Sequence, residues 1–329
     1  MRSNTALTAE TATRILAADT EAVATGARTL ASGGLVAFPT ETVYGLGADA
    51  ASGKAIAHLY AAKGRPAFNP LIAHVGSHEL ARNIGRFSAD ADKLARAFWP
   101  GPLTIVLPRQ PGARVSDLAL AGLDSVAVRM PAHRVARALL AAFDGAVVAP
   151  SANQSGHVSP TDAAHVLADL GGRIDLVLDG GACPVGVEST IVSCLDTPTL
   201  LRPGGLAREE IERVLGHSLA TSSERDDTAP LAPGMLSSHY APRARVRLDA
   251  LAPEPGEALL AFGTAPPSSG PVLNLSSRGD LVEAAANLFS HLRALDASGA
   301  QRIAVMTIPN EGLGEAINDR LARAAAPKV

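Results

Sequence analysis

Residues 35–47 read Leu-Val-Ala-Phe-Pro-Thr-Glu-Thr-Val-Tyr-Gly-Leu-Gly, and the way this stretch divides sets the fold class. Leu35 to Phe38 are apolar and make a short buried strand, which Pro39 breaks because proline has no N–H for a sheet ladder. The polar, glycine-bearing run from Thr40 to Gly47 then reads as a turn. Open α/β sheets bind ligands at the carboxyl ends of their strands, so this turn is well placed for a site. Upstream, apolar spacing from about Thr20 to Ala31 predicts a helix stopped by Gly33-Gly34. Downstream, a helix beginning after Ser52 puts Ile56, Leu59 and Tyr60 on one face. The alternation continues, with strands at 71–75, 104–108, 125–131, 145–150, 175–180 and 189–195. Helices lie between them, up to about Phe98 and at 132–143, 161–170 and 207–216. Interleaved strands and helices imply an α/β sheet, and short strand-to-strand links such as 188–202 make it mixed.

Residues 217–243 break this pattern with Ser, Thr, Pro and charges but no periodicity, and form a linker. Beyond it, strands at 244–251, 258–262, 272–275 and 302–308 alternate with helices at 280–296 and up to about residue 326. The domain expectation is therefore 1–217, a linker at 218–243, and a small separate α/β domain at 244–329. A length of 329 residues suits two domains. The chain is 47% hydrophobic but only 3% aromatic, so its core is built of Ala, Leu and Val. With 19% charged residues it is not a disordered chain. No apolar run is long enough to span a membrane, and the N-terminus lacks an apolar segment behind a basic start. Cys183 and Cys194 suit neither a disulfide framework nor a zinc ribbon, so a reducing cytoplasm is expected. The net charge of −3 argues against a basic nucleic-acid surface.

The common nucleotide and hydrolase motifs are missing. Gly47 and Gly53-Lys54-Ala55 have the wrong spacing for a P-loop, and Gly45-Leu46-Gly47 lacks the third glycine of a dinucleotide fingerprint. His74 and His78 lack the glutamate of a zinc-protease helix, and no nucleophile elbow occurs. Six segments instead put polar residues at strand or helix ends. Lys63 and Arg65 are the most informative, because only four lysines occur in the chain. A cation at a helix C-terminus gains roughly 0.3–1 kcal/mol from the macrodipole, which accounts for Lys63 but not for Arg65 beside it. Two cations one residue apart suit a polyphosphate. Arg129 ends an apolar strand, where an ordinary reading pairs it with a nearby carboxylate. Ser151 and Asn153 follow a strand, Glu188-Ser189-Thr190 precede one, and Arg202 ends another.

FPTETVYGLG (38–47), KGRPAFNPL (63–71), WPGPLT (99–104), VAVRMP (126–131), APSAN (149–153), GVESTI (186–191) and LLRPG (200–204) occur in that order. Together they resemble the YrdC-type family. PGMLSSHYAP (233–242) and the small domain after it resemble the two-domain members, the threonylcarbamoyl-AMP synthases. The resemblance implies a twisted mixed α/β sheet around a large concave, positively lined cavity, with a Rossmann-like C-terminal α/β domain. It implies that L-threonine, bicarbonate and ATP are joined to give threonylcarbamoyl-AMP and pyrophosphate. The product would pass to a transferase that modifies the adenosine beside the anticodon of certain tRNAs. By the same resemblance Lys63 and Arg65 would hold the ATP phosphates, with Asn69, Ser125, Ser151, Ser159, Arg202 and Tyr240 completing the nucleotide site. Thr42, His74, Arg129, the Ala149 backbone and Ser189 would hold threonine. Ser125 stands where threonine is commoner in the family, and keeps the hydroxyl. Mg²⁺ is expected on the leaving pyrophosphate; no Asp or Glu is an obvious ligand, so phosphates and water would hold it.

Two other readings stay open. An RNA-binding module would fit a concave positive cavity, although aromatic stacking residues are scarce. A carbamoyl transferase of the hydrogenase-maturation type would need additional acylphosphatase and zinc-finger modules. Two further expectations follow. Lys63 and Arg65 flank a helix end beside Pro66, so alanine at either should abolish adenylate formation and spare the fold, as solvent-facing changes usually cost under about 0.5 kcal/mol. The linker carries Leu231, Met235, Leu236 and Tyr240 between prolines, so it is expected to fold over the cavity as a lid, with Tyr240 on the nucleotide.

Overall fold

The computed structural model describes residues 12–66, 69–221 and 240–327. The chain runs β1 (Arg14–Ala17), α1 (Thr20–Ala31), β2 (Val36–Pro39), β3 (Tyr44–Asp49), α2 (Gly53–Lys63), β4 (Ile72–His74), α3 (His78–Ile84) and α4 (Ala89–Phe98). There follow β5 (Leu103–Pro108), α5 (Asp117–Leu120), β6 (Ser125–Arg129), α6 (Arg134–Phe143), β7 (Val147–Val148), α7 (Ala163–Leu170) and β8 (Leu176–Asp179). Next come β9 (Thr190–Ser193), β10 (Thr199–Arg202), α8 (Arg208–Leu215), β11 (Ala220–Thr221), β12 (Arg245–Arg247), β13 (Ala258–Ala261) and β14 (Val272–Asn274). The chain closes with α9 (Leu281–Ala297), β15 (Arg302–Val305) and α10 (Leu313–Ala325).

An 11-stranded sheet takes the order β1-β8-β2-β3-β7-β4-β6-β5-β9-β10-β11. It is mixed, as the short links require: β4 pairs β6 in parallel, while β5 pairs β6 and β9 pairs β10 antiparallel. The expected turn from Thr40 to Gly47 is corrected. Only Thr40 to Val43 turn, and Tyr44–Asp49 is a strand antiparallel to β2. Its glycines give close approach instead of a bend: a Cβ on Gly47 would lie 2.9 Å from the Phe38 ring, and one on Gly45 3.1 Å from the Ala149 Cβ. β1, α5 and β11 were not anticipated. All three are short, and β1 and β11 pair in parallel only through long crossovers.

Helices α1 and α6 cover one face of the sheet over β2, β7 and β8. On the same face, further along, Ile72, Val106, Ala127, Ile191 and Leu201 form a separate small apolar floor. The other face packs against α2, α3, α4, α5, α7 and α8 in the largest cluster. The second sheet is parallel throughout, in the order β12-β15-β13-β14, and α9 and α10 pack on it. Val43, Val158, Val187 and Tyr240 belong to the same apolar cluster as the cores of α9, α10, β13 and β15. The two sheets thus share a buried seam. No described helix is long and apolar enough to cross a membrane.

Candidate active site

The mixed pairing lays one transverse row across the sheet. His74 of β4 pairs with Arg129 of β6, Arg129 with Thr104 of β5, Thr104 with Ile191 of β9, and Ile191 with Arg202 of β10. Paired residues share a face, so His74, Arg129 and Arg202, distant in sequence, come to one surface. There they line a cavity of about 460 Å³, open solvent at its mouth included. Thr42, Ala149, Ser151 and Ser189 enter from the loops, and Arg65, Glu188 and Tyr240 complete the wall.

Arg129 reaches Glu41 at 2.6 Å, the Thr42 hydroxyl at 2.9 Å and the Gly101 carbonyl at 3.3 Å. The ordinary reading, a carboxylate partner, therefore holds. A guanidinium has five N–H donors, and these bonds use three, so two remain for a ligand carboxylate. Burial works against the Glu41 charge, but Arg129 and the Ala132 N–H hold its carboxyl below the usual range. Burial, then the charge of Arg129, push His74 down to about 3. His74 is thus neutral at physiological pH, with Nδ1 3.2 Å from the Ile72 carbonyl. Arg202 donates to the Ser189 carbonyl at 2.9 Å and to its hydroxyl at 3.3 Å. The Ser189 hydroxyl also lies 2.8 Å from Thr104 Oγ1. The Ala149 N–H is bonded to the Ile72 carbonyl, so Ala149 would meet an amine only through its own carbonyl.

The phosphate segment differs from expectation. Gly64, at φ +60, forms a left-handed helix cap, the conformation that glycine adopts most readily. The apolar face of α2 extends through Lys63, and the cap folds Arg65 back under it. Lys63 is 3% exposed and Arg65 9%, so neither faces solvent. Lys63 Nζ donates to the carbonyls of Ser151 at 2.6 Å and Asn153, tying α2 to the loop after β7, and it does not line the cavity. Burial, then the charge of Arg65, pull its ammonium well below the ordinary lysine value. Arg65 does line the cavity; two of its bonds go to Asn69 and Pro70 carbonyls, and its buried Nε has no partner. Asn69 Oδ1 beside it is likewise buried without a partner.

Three further assigned residues stand back from the cavity wall. Asn69 lies behind Arg65. Ser159 donates to Glu188 at 2.5 Å, so it touches the wall only through that carboxylate. Ser125 opens β6 on the face that carries Ala127 and Arg129, near the start of β4 and away from the lining. Tyr240 lines the cavity, stacked on Phe289 of α9 at 5.6 Å and faced by the Arg320 guanidinium of α10 at 5.2 Å. The rest of the lid expectation, residues 222–239 with Leu231, Met235 and Leu236, lies outside the described residues. Glu41, Thr104 and Glu188 were inside quoted motifs but unassigned. Arg320 had no signal at all, because the groups it meets at the cavity, Glu188 and the Pro203 carbonyl, are more than a hundred residues away.

Among the described residues no three His, Cys, Asp or Glu lie together as a metal site. The one carboxylate in the cavity wall, Glu188, is already bonded to Arg320 and Ser159. Three guanidinium groups, one carboxylate and a neutral imidazole leave the cavity cationic, which suits an anionic ligand with several oxygens.

Known proteins resemble this chain over most of its length. Residues 28–204 match the family model of the Sua5, YciO and YrdC proteins, described as "Telomere recombination". Residues 206–326 match that of the "Threonylcarbamoyl-AMP synthase, C-terminal domain". The chain belongs to the threonylcarbamoyl-AMP synthase family. The family's protein from Pyrococcus abyssi, named threonylcarbamoyl-AMP synthase, is 43% identical over 90% of this chain and 92% of its own. That of Bacillus subtilis, with the same name, is 41% identical over 93% and 94%. Among solved structures of the family, P. abyssi Sua5 complexed with L-threonine superposes with a TM-score of 0.88 at 38% identity, covering 95% of this chain and 98% of that one.

Proposed function

We propose that the cavity joins L-threonine, bicarbonate and ATP into threonylcarbamoyl-AMP, releasing pyrophosphate and water. The observation that carries this is the transverse row, which sets Arg129 and Arg202 on either side of Thr104 and Ser189 in one cavity with Arg65. Arg129, with two N–H donors to spare, binds the threonine carboxylate as a planar fork. Thr42 and Ser189 flank it, and Val43 and Ile72 give the threonine methyl an apolar contact. The neutral His74 lets an amine approach without repulsion. That amine attacks CO₂ formed from bicarbonate, giving a carbamate that a water-poor cavity protects.

A carbamate oxygen then attacks the α-phosphorus of ATP and pyrophosphate leaves. Arg65 and Arg202 stabilise the charge that builds on the phosphoryl oxygens, where one such donor is typically worth about 10²–10³ in rate. An anion beside Arg65 would satisfy its orphaned Nε. Lys63 supports this site by holding Ser151, and reaches phosphate only by releasing its carbonyls. Mg²⁺ arrives with the nucleotide, held by phosphate oxygens and water, since the carboxylates present offer no cage. The adenylate passes to a tRNA-modifying transferase. The two buried, unbridged cysteines suit a reducing cytoplasm.

The test is to incubate the protein with ATP, labelled bicarbonate and single amino acids. Label should enter a nucleotide-linked product, with pyrophosphate, only when threonine is present. Serine should lag, because the methyl is worth roughly 1 kcal/mol of burial. Pyrophosphate release without bicarbonate would contradict the reading. Steeply salt-dependent RNA binding without turnover would favour the RNA-binding alternative instead.

A further inference from the structure

Glu188 presents a puzzle at an anion site. Its carboxylate is buried in the cavity wall, where uncompensated negative charge would repel phosphate. Arg202 of the wall itself compensates part of that charge, but the larger part comes from the second domain. Arg320, on α10 and fully buried, donates Nε to Glu188 at 2.7 Å, Nη2 to the Pro203 carbonyl at 3.0 Å and Nη1 to Asp319 at 2.6 Å. The same guanidinium lies over the Tyr240 ring, at 5.2 Å, and that ring also lines the cavity. Arg320 itself does not line it.

The loop that carries Glu188 is pressed on the second domain as well. A Cβ on Gly186, at φ +77, would lie 2.3 Å from the Ala285 carbonyl of α9. Loop 185–189, Tyr240 and the end of β10 at Pro203 are therefore all referenced to one buried cation. An ion pair that only stabilised a core could be exchanged for apolar residues at little cost. This one ends on two groups that line the cavity.

We propose that Arg320 is a positioning residue of the synthase: it orients and neutralises Glu188 and faces Tyr240, so that the second domain completes the nucleotide side of the cavity. This rests on the cavity being the adenylate-forming site. Direct ATP binding and product formation by the unaltered chain therefore come first, and their absence would overturn both readings. Given them, Arg320→Met in the full chain should raise the ATP KM about tenfold or more and leave the threonine KM within about threefold.

Adding Glu188→Gln to Arg320→Met should bring the ATP KM back to within about threefold of Glu188→Gln alone. Equal changes in both KM values, no change in either, or a double variant as poor as Arg320→Met would overturn the proposal. If Arg320→Met does not fold, Arg320→Lys decides. It keeps the charge but not the three-way bonding, so the variant should melt lower than the unaltered chain but fold, and its ATP KM should rise more than its threonine KM. An unchanged ATP KM in that variant would overturn the proposal.

Discussion

Lys63 and His74 are buried ionisable groups whose roles are set by what surrounds them. Lys63 satisfies two carbonyls of the loop after β7, so its removal leaves buried acceptors unpaired at about 1–3 kcal/mol each. Lys63→Ala should therefore lower the melting temperature clearly as well as abolish synthesis; an unchanged melt would show that the loop does not depend on it. For His74 the linkage is direct. Its folded pKa is about 3 against an ordinary 6.5, so between those values the unfolded chain binds a proton that the folded chain does not. Stability present above pH 6.5 is then lost as pH falls, by about 1.4 kcal/mol per pH unit from this one group. Urea unfolding at several pH values should show a gentler acid decline in His74→Gln than in the unaltered chain. Parallel declines would contradict the assignment.

At the scale of elements, legibility followed the locality of the signal. The apolar face of α2 was readable from Ile56, Leu59 and Tyr60, but Lys63, which continues that face three residues on, was expected to tolerate alanine as a solvent-facing residue does, and it is buried instead. The strand at Tyr44–Asp49 was hidden, because Gly45 and Gly47 carry the usual mark of a turn, yet here they admit the Ala149 Cβ and the Phe38 ring. The row from His74 to Arg202 could not be read from spacing, since a mixed sheet fixes neighbours only when it pairs. Arg129 and Arg202 were named through the motifs that hold them, whereas Thr104, although it ends one of those motifs, gave no sign of the Ser189 hydroxyl that it meets across the sheet. Loop 185–189 gives this scale its prediction. Gly186→Ala would place a methyl 2.3 Å from a carbonyl oxygen in a left-handed backbone, forcing the loop and α9 apart. The variant should melt several degrees lower, by about 2 kcal/mol or more, and bind ATP weakly. A variant with normal melting and binding would show that the contact is dispensable.

Across the whole molecule, the strands and helices of the two sheets were legible in sequence, but the dependence of one sheet on the other was not. Composition marks 217–243 as a linker, whereas the shared seam of Val43, Val158, Val187 and Tyr240 with α9 and α10 joins residues far apart in sequence. Cutting the chain after residue 217 would expose that seam and strip Arg320 from Glu188. The truncated domain should keep its helical and strand content, melt lower and lose ATP affinity more than threonine affinity, as calorimetry and titration would report. Equal affinities in both forms would show that the second domain takes no part in the site.

The cavity as a joint threonine and nucleotide site is tested most directly by a crystal structure with threonine and a non-hydrolysable ATP analogue. The threonine carboxylate is predicted within hydrogen-bond distance of Arg129, with Ser189 beside it and the phosphates against Arg65 and Arg202. Nucleotide bound elsewhere, or threonine without a contact to Arg129, would contradict the account.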